Sequence, residues 1–197
     1  MLVPTCRIAP PTGRECGRCI LIIIAHLAGA AMKAITCAVS LLTTCTMSLV
    51  ATSAAADTGW QPLFNGRSFD GWKAAEHPAS WTIEDGCLVA CGPRSHLFYQ
   101  GPVGNHQFKN FELRVTAKTA PHSNSGVYFH TEYQESGWPE KGYEVQINNG
   151  HSGSGTYVEL KQTGSLYAVQ NLYKNFVPND QWFTMRIRVV VPRIQIW

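Results

Sequence analysis

Apolar and polar positions alternate in short segments through most of this chain. Residues 111–118, 127–132, 143–148 and 183–189 each switch between the two types at nearly every step. In an extended strand successive side chains point to opposite faces, so a period of two predicts strands with one buried face. Turn chemistry separates these segments: Asn65-Gly66, Glu84-Asp85-Gly86, Pro139 through Gly142, and Asn149-Gly150 followed by a Gly/Ser run to Gly155. Nothing after Asp57 sustains a helical period, and there is no internal repeat. The pattern predicts an all-β domain, a sandwich or a barrel. Near the end, residues 182–191 read as a strand, Pro192-Arg193 as a turn, and 194–197 as the start of a hairpin partner. A sheet that stopped there would leave an apolar edge, so the domain is expected to be incomplete at its C-terminus.

Composition divides the chain at Ala56. Residues 1–56 hold four basic residues, one acid, five cysteines and no aromatic residue. Residues 57–197 hold 12 basic and 12 acidic residues, two cysteines and all 21 aromatics. The formal +3 charge therefore belongs to the front segment, which excludes a basic surface built for nucleic acid. The 141 residues that follow suffice for one domain with a core.

The front segment has the grammar of an address. Met32-Lys33, an apolar run over 34–50 and the small-residue site Ala54–Ala56 make a secretory signal peptide over 32–56. Residues 1–31 are then an upstream over-extension or part of an extended leader. Cleavage near Ala56 predicts a secreted or periplasmic product without a stable membrane span; membrane or lipid anchoring through Cys45 is the less favoured alternative. Cys16 and Cys19 have C-x-x-C spacing but no second pair. Cys87 and Cys91, four apart on a predicted strand, are about 13 Å apart, too far for a bridge, and are expected as free thiols.

Several fragments stand in a specific order: 60–66 (WQPLFNG), 69–72 (FDGW), 81–88 (WTIEDGCL), 108–113 (FKNFEL), 124–129 (NSGVYF), 142–147 (GYEVQI), 163–167 (TGSLY) and the late Trp182. Together they resemble the 3-keto-disaccharide hydrolase family, long a domain of unknown function in secreted bacterial proteins. The resemblance covers 59–197. It implies a concanavalin-A-like lectin/glucanase jelly-roll sandwich, two antiparallel sheets with a sugar-binding concave face. It also implies activity on glycosides whose C3 hydroxyl has been oxidised to a ketone, with an oligosaccharide or glycoside as partner. The family often carries Arg where this chain has His130 and Asp where it has Asn148, and it usually continues through another hairpin.

Alternation puts Tyr128, His130 and Glu132 on one face and Glu144, Gln146 and Asn148 on another, with apolar residues opposite each. These rows offer carboxylates, amides, an imidazole and a ring, the groups that bind sugar hydroxyls and the apolar face of a pyranose. A solvated sheet face is the plain alternative. For a 3-keto glycoside the expected chemistry is removal of the C2 proton, loss of the C1 aglycone, then hydration. Glu144 is the first candidate acid or base and His130 the second, since imidazole titrates near neutrality. Asn124, Gln146 and Asn148 are candidate hydroxyl or enolate binders. Tyr128 and loop-borne Trp138 are candidate ring platforms, and Glu132 is a possible second carboxylate. No cofactor is expected; His130, Glu132 and Glu144 are of metal-ligand type, and a divalent metal beside them stays an open alternative. A non-catalytic carbohydrate-binding module on the same fold is the competing function. His77, His96, His106, His122 and His151 read as exposed turn residues, and Trp60, Trp72, Trp81 and Trp182 as packing residues.

Overall fold

The computed structural model describes residues 2–7, 19–22, 59–154 and 156–197. The apolar run over 34–50, the small-residue site Ala54–Ala56 and Cys45 lie outside the described residues. Among those described, the regular structure is almost entirely strand. In chain order the strands are β1 (Leu2–Arg7), β2 (Cys19–Ile22), β3 (Trp72–Ala75), β4 (Trp81–Glu84), β5 (Cys87–Ala90), β6 (Ser95–Tyr99) and β7 (Phe111–Thr119). They continue with β8 (Asn124–Phe129), β9 (Tyr143–Ile147), β10 (Gly153–Ser154), β11 (Tyr157–Val158), β12 (Phe183–Val190) and β13 (Arg193–Ile196). Two short 3-10 turns, Pro78–Ser80 and Val103–His106, complete the regular elements. No helix among the described residues is long and apolar enough to cross a membrane.

The strands form a five-stranded sheet in the order β3-β6-β1-β8-β9, a six-stranded sheet in the order β13-β12-β7-β2-β5-β4, and the small β10-β11 pair. Every strand pairing is antiparallel. The all-β expectation therefore holds, and the hairpin of β12 with β13 forms as read, Val190 facing Arg193. Two strands come from residues 1–31, the segment read as an upstream over-extension or extended leader: β1 lies between β6 and β8, and β2 between β5 and β7.

One apolar cluster joins the two large sheets. Leu97, Tyr99, Val127, Phe129, Val145 and Ile147 reach it from one sheet; Leu88, Leu113, Val115, Met185 and Ile187 reach it from the other. Burying a large apolar side chain contributes about 1.5–3 kcal/mol, so this two-sided contact is the main term fixing register. Trp72 and Trp81 belong to the same cluster, each with its indole N–H satisfied, by Leu63 O and Ser95 Oγ at 2.9 Å. Trp182, by contrast, is exposed, with the Lys118 ammonium over its ring.

Two expectations need correction. The alternation read over 127–132 ends early, because β8 stops at Phe129 and His130 takes a left-handed backbone with φ 56°. Alternation requires extended backbone, so His130 and Glu132 leave the row that Tyr128 belongs to. Cys87 is a free buried thiol, pushed up in pKa by burial, as read, but Cys91 is disulfide-bonded. It lies just past the end of β5, and because Cys87 is free its partner is another cysteine, so the spacing argument against a Cys87–Cys91 bridge stands while the free-thiol reading of Cys91 does not.

Candidate functional site

The pairing of β8 with β9 builds the site. Its register places Gly126 opposite Gln146, Val127 opposite Val145, and Tyr128 opposite Glu144. Directly opposed residues share a face. Val127 and Val145 enter the core, so Gly126, Tyr128, Glu144 and Gln146 all stand on the other side of the sheet. Tyr128 Oη donates to Glu144 Oε2 at 2.9 Å. The Gln146 and Asn124 amides pair at 2.8 Å. With its amide turned to suit its neighbours, Gln146 also brings an N–H to 3.3 Å from Glu144 Oε1.

Glu144 is 4% exposed, an unusual degree of burial for a carboxylate. Gly126 makes the room. A Cβ there would fall 2.8 Å from Glu144 Cγ and closer still to its carboxylate oxygen. The glycine in the 124–129 motif is thus explained by the side chain that leans across it.

A ring wall closes one flank. The His96 ring meets Tyr128 edge-on at 5.9 Å and Trp138 at 5.4 Å. His96 is on β6 and buried, which corrects its reading as an exposed turn residue. The run Ser95-His96-Leu97-Phe98-Tyr99 is itself an alternating strand, with Leu97 and Tyr99 in the core and Phe98 in a small cluster with Ala75 and Tyr128 on the site face.

Trp138 is held by a clamp outside the sheet. Arg94 donates to Glu76 through Nε at 2.9 Å and Nη2 at 2.5 Å, and its guanidinium lies 4.7 Å from the Trp138 ring centroid. Gly137 N donates to Glu76 Oε1 at 3.1 Å, and Gln134 Nε2 to Trp138 O at 2.7 Å. The Arg94 guanidinium holds the Glu76 carboxyl down at about 2 against the opposing effect of burial.

Three of the sequence candidates lie elsewhere or are otherwise engaged. His130 Nε2 donates to Lys109 O at 3.0 Å, its ring packs on Phe111 and Phe129, and it lines an open groove with Gln107, Phe108 and Val191. Glu132 is exposed and ion-paired with Lys141 at 2.8 Å. Asn148 is buried: Nδ2 donates to Glu159 O and Lys161 O at 3.0 and 3.1 Å, and Oδ1 accepts from Gly150 N, Ser152 N and Ser152 Oγ. The open metal alternative thereby loses the convergence of His130 and Glu132 on Glu144; no group of three or more His, Cys, Asp or Glu able to hold an ion occurs among the described residues.

On the other flank of Glu144 runs the segment 163–170. Tyr167 N donates to Glu144 O at 2.9 Å, Gln146 N to Ser165 O at 2.9 Å, and Leu166 bridges Val145. Leu166 and Val145 both enter the core, so Tyr167 stands on the face of Glu144. Its hydroxyl donates to Glu159 Oε2 at 3.0 Å and lies 3.3 Å from Lys161 Nζ. Glu159 and Lys161 escaped the sequence reading, although 157–161 (YVELK) alternates and directly precedes the 163–167 motif.

The family model described as the 3-keto-alpha-glucoside-1,2-lyase-like domain matches residues 59–197. A protein of Bacteroides thetaiotaomicron named 3-keto-disaccharide hydrolase is 36% identical over 78 residues, 36% of this chain. The match spans only 27% of that relative's length. No solved structure matches the chain.

The clamp has a pH signature. Its folded-state carboxyl is depressed from 4.5 to about 2, so its stabilisation is fully present above pH 4.5 and is lost as pH falls towards 2. Glu76→Gln is expected to lower unfolding free energy at pH 6 by about 1–2 kcal/mol, discounted for the partial exposure of Arg94. In urea titrations the gap between the two proteins should close near pH 2; a gap independent of pH would remove the clamp.

Proposed function

Since the chain belongs to the 3-keto-alpha-glucoside-1,2-lyase-like family, we propose that it cleaves glycosides carrying a C3 ketone, with Glu144 as the base. The observation that carries this is a buried carboxylate on a sheet face, fixed by a tyrosine hydroxyl and given its space by a glycine. The name of the Bacteroides thetaiotaomicron relative supports the substrate class.

The C3 ketone acidifies the C2 proton. Glu144 takes that proton, and the electron pair passes into a C2–C3 enolate. Collapse of the enolate makes a C1–C2 double bond and breaks the C1–O bond, and the proton taken by Glu144 passes to the departing aglycone oxygen, which regenerates the carboxylate. Water added across the double bond gives net hydrolysis; without it the product is the unsaturated sugar. Tyr128, donating to Oε2, fixes the orientation of the carboxylate. Asn124 and Gln146 bind hydroxyls, and Trp138 with His96 makes the ring wall. Asn148 is assigned to holding the 149–161 segment, and His130 and Glu132 have no part in the step.

On architecture, the same proposal extends the all-β fold to a concanavalin-A-like jelly-roll sandwich, supported by two antiparallel sheets sharing one apolar cluster. On location, it includes export with cleavage after Ala56. Export and strand placement make opposite demands, since β1 and β2 both precede that site and fill central positions. The intact mass of the exported protein decides: a chain beginning at Asp57 is expected, and retention of Met1 would replace export with a domain that keeps both strands.

Two substitutions test the chemistry. Glu144→Gln should abolish aglycone release from a 3-keto glucoside, by at least about a hundredfold in kcat, while the protein stays folded. Full activity in that variant would remove Glu144 as base. If the unaltered protein binds the sugar without releasing aglycone, the domain is a binding module. Gly126→Ala should reduce kcat at least about tenfold, because the added methyl displaces the Glu144 carboxylate; unchanged kcat would mean the carboxylate acts from another position.

A further inference from the structure

The polar cluster beside Tyr167 has no role in the steps above. Glu159 has a side chain with 0% exposure, yet it is ionised and receives Tyr157 Oη at 2.5 Å, Tyr167 Oη at 3.0 Å, Lys161 N at 3.0 Å and Lys161 Nζ at 3.2 Å. Burial alone would raise its pKa; the donors from Tyr157, the Lys161 amide, Tyr167 and the ammonium outweigh it and hold the carboxyl below its usual range. Burial likewise opposes the charge of Lys161, and Tyr167 and Glu159 outweigh it and raise its pKa.

Buried ion pairs add little stability over apolar replacements of the same size, so stability gives a weak reason for this one. What such a pair does well is fix a charge in space. Lys161 has three N–H donors, of which Glu159 Oε1 and Tyr167 Oη take two. Its side chain is 24% exposed, and the ammonium sits 4.3 Å from the Tyr167 ring centroid. Tyr167 is the residue directly across from Glu144 and on the same face. The ammonium thus packs on the ring of the residue whose backbone pairs with that of Glu144.

We propose that Lys161, oriented by Glu159 and Tyr167, binds the C3 oxygen of the substrate and stabilises the enolate that forms when Glu144 takes the C2 proton. This rests on the activity proposed above. Removing a C2 proton moves one negative charge to the C3 oxygen, and none of Tyr128, Gln146, Asn124, Trp138 or His96 has been assigned to meet it with a full positive charge. A fixed ammonium does so without reorganisation at the moment of reaction. Glu159 and Tyr167 are positioning residues: they touch the lysine and act through it. The third N–H of the ammonium goes to the C3 oxygen, and the enolate electron pair returns from that oxygen when the C1–O bond breaks, so Lys161 is unchanged over the cycle.

The experiment uses the purified chain and a chromogenic 3-keto glucoside, with kcat and KM measured separately. Lys161→Met should lower kcat about a hundredfold or more and change KM by less than about threefold. Lys161→Arg, which keeps the charge, should recover to within about tenfold of the unaltered protein. Glu159→Gln should fall about tenfold in kcat with the lysine still present. A Lys161→Met kcat within threefold of the unaltered protein overturns the inference and leaves the proposed activity standing. So does a Lys161→Arg variant as impaired as Lys161→Met, or a loss of activity in both that tracks a lowered melting temperature, since either result assigns a structural role. Absence of aglycone release from the unaltered protein removes the proposed activity, and the role of Lys161 in it falls at the same time.

Discussion

The register of β8 on β9 is the constraint from which the rest of the site follows. Val127 and Val145 are opposed and lie in the core, and this pair sets the parity of both strands. A slip of β9 by one residue would turn Glu144 and Gln146 into the apolar cluster and bring Val145 and Ile147 out. The cost of burying two polar groups and exposing two apolar ones makes that alternative inaccessible. The same packing that stabilises the fold therefore aims the carboxylate, and Leu166 extends the rule by one more backbone, placing Tyr167 beside Glu144.

Two buried carboxylates share this face, and their surroundings divide the work between them. Glu159 is saturated by two hydroxyls, an amide and an ammonium, and a carboxylate so bound has little reason to accept a proton. Glu144 lies over a glycine beside a tyrosine hydroxyl. Pairs of titratable groups held in different environments are how one fold supplies both a base and a fixed counter-charge. Glu132, read as a possible second carboxylate, is exposed and paired with Lys141, whereas Glu159 is buried.

What the sequence reveals and what it conceals has a physical boundary. The strands β7, β9 and β12 were legible because alternation is a property of extended backbone, and in these segments the backbone stays extended. The same reason puts Glu144 with Gln146 on the outward face of β9 and Tyr128 on the outward face of β8. His130 was misplaced because a single left-handed φ ends the alternation, and nothing in the local pattern marks that residue. His96 reads as a turn residue, although Leu97 and Tyr99 beside it carry the period of a strand. Trp138 reads as a candidate platform, but the Glu76–Arg94 clamp behind it joins residues 18 apart with a loop some 60 residues on, a contact no local pattern encodes. The front segment marks the sharpest divide: its composition reads as an address, and the sheets draw β1 and β2 from it.

Asn148 shows why a polar residue at the end of a strand need not face a ligand. Its amide accepts from Gly150 and Ser152 and donates to the carbonyls of Glu159 and Lys161, so it closes the 149–161 segment back onto the end of β9. The strand that carries Glu144 thus also anchors, through its very next residue, the segment that carries the ammonium. Sites built on strands are held more tightly than sites built on loops, and this arrangement gives a loop residue the precision of a strand. The separation between carboxylate and ammonium is then set by one element rather than by the independent motion of two, and loss of the Asn148 amide would be felt at Lys161 before it was felt at Glu144.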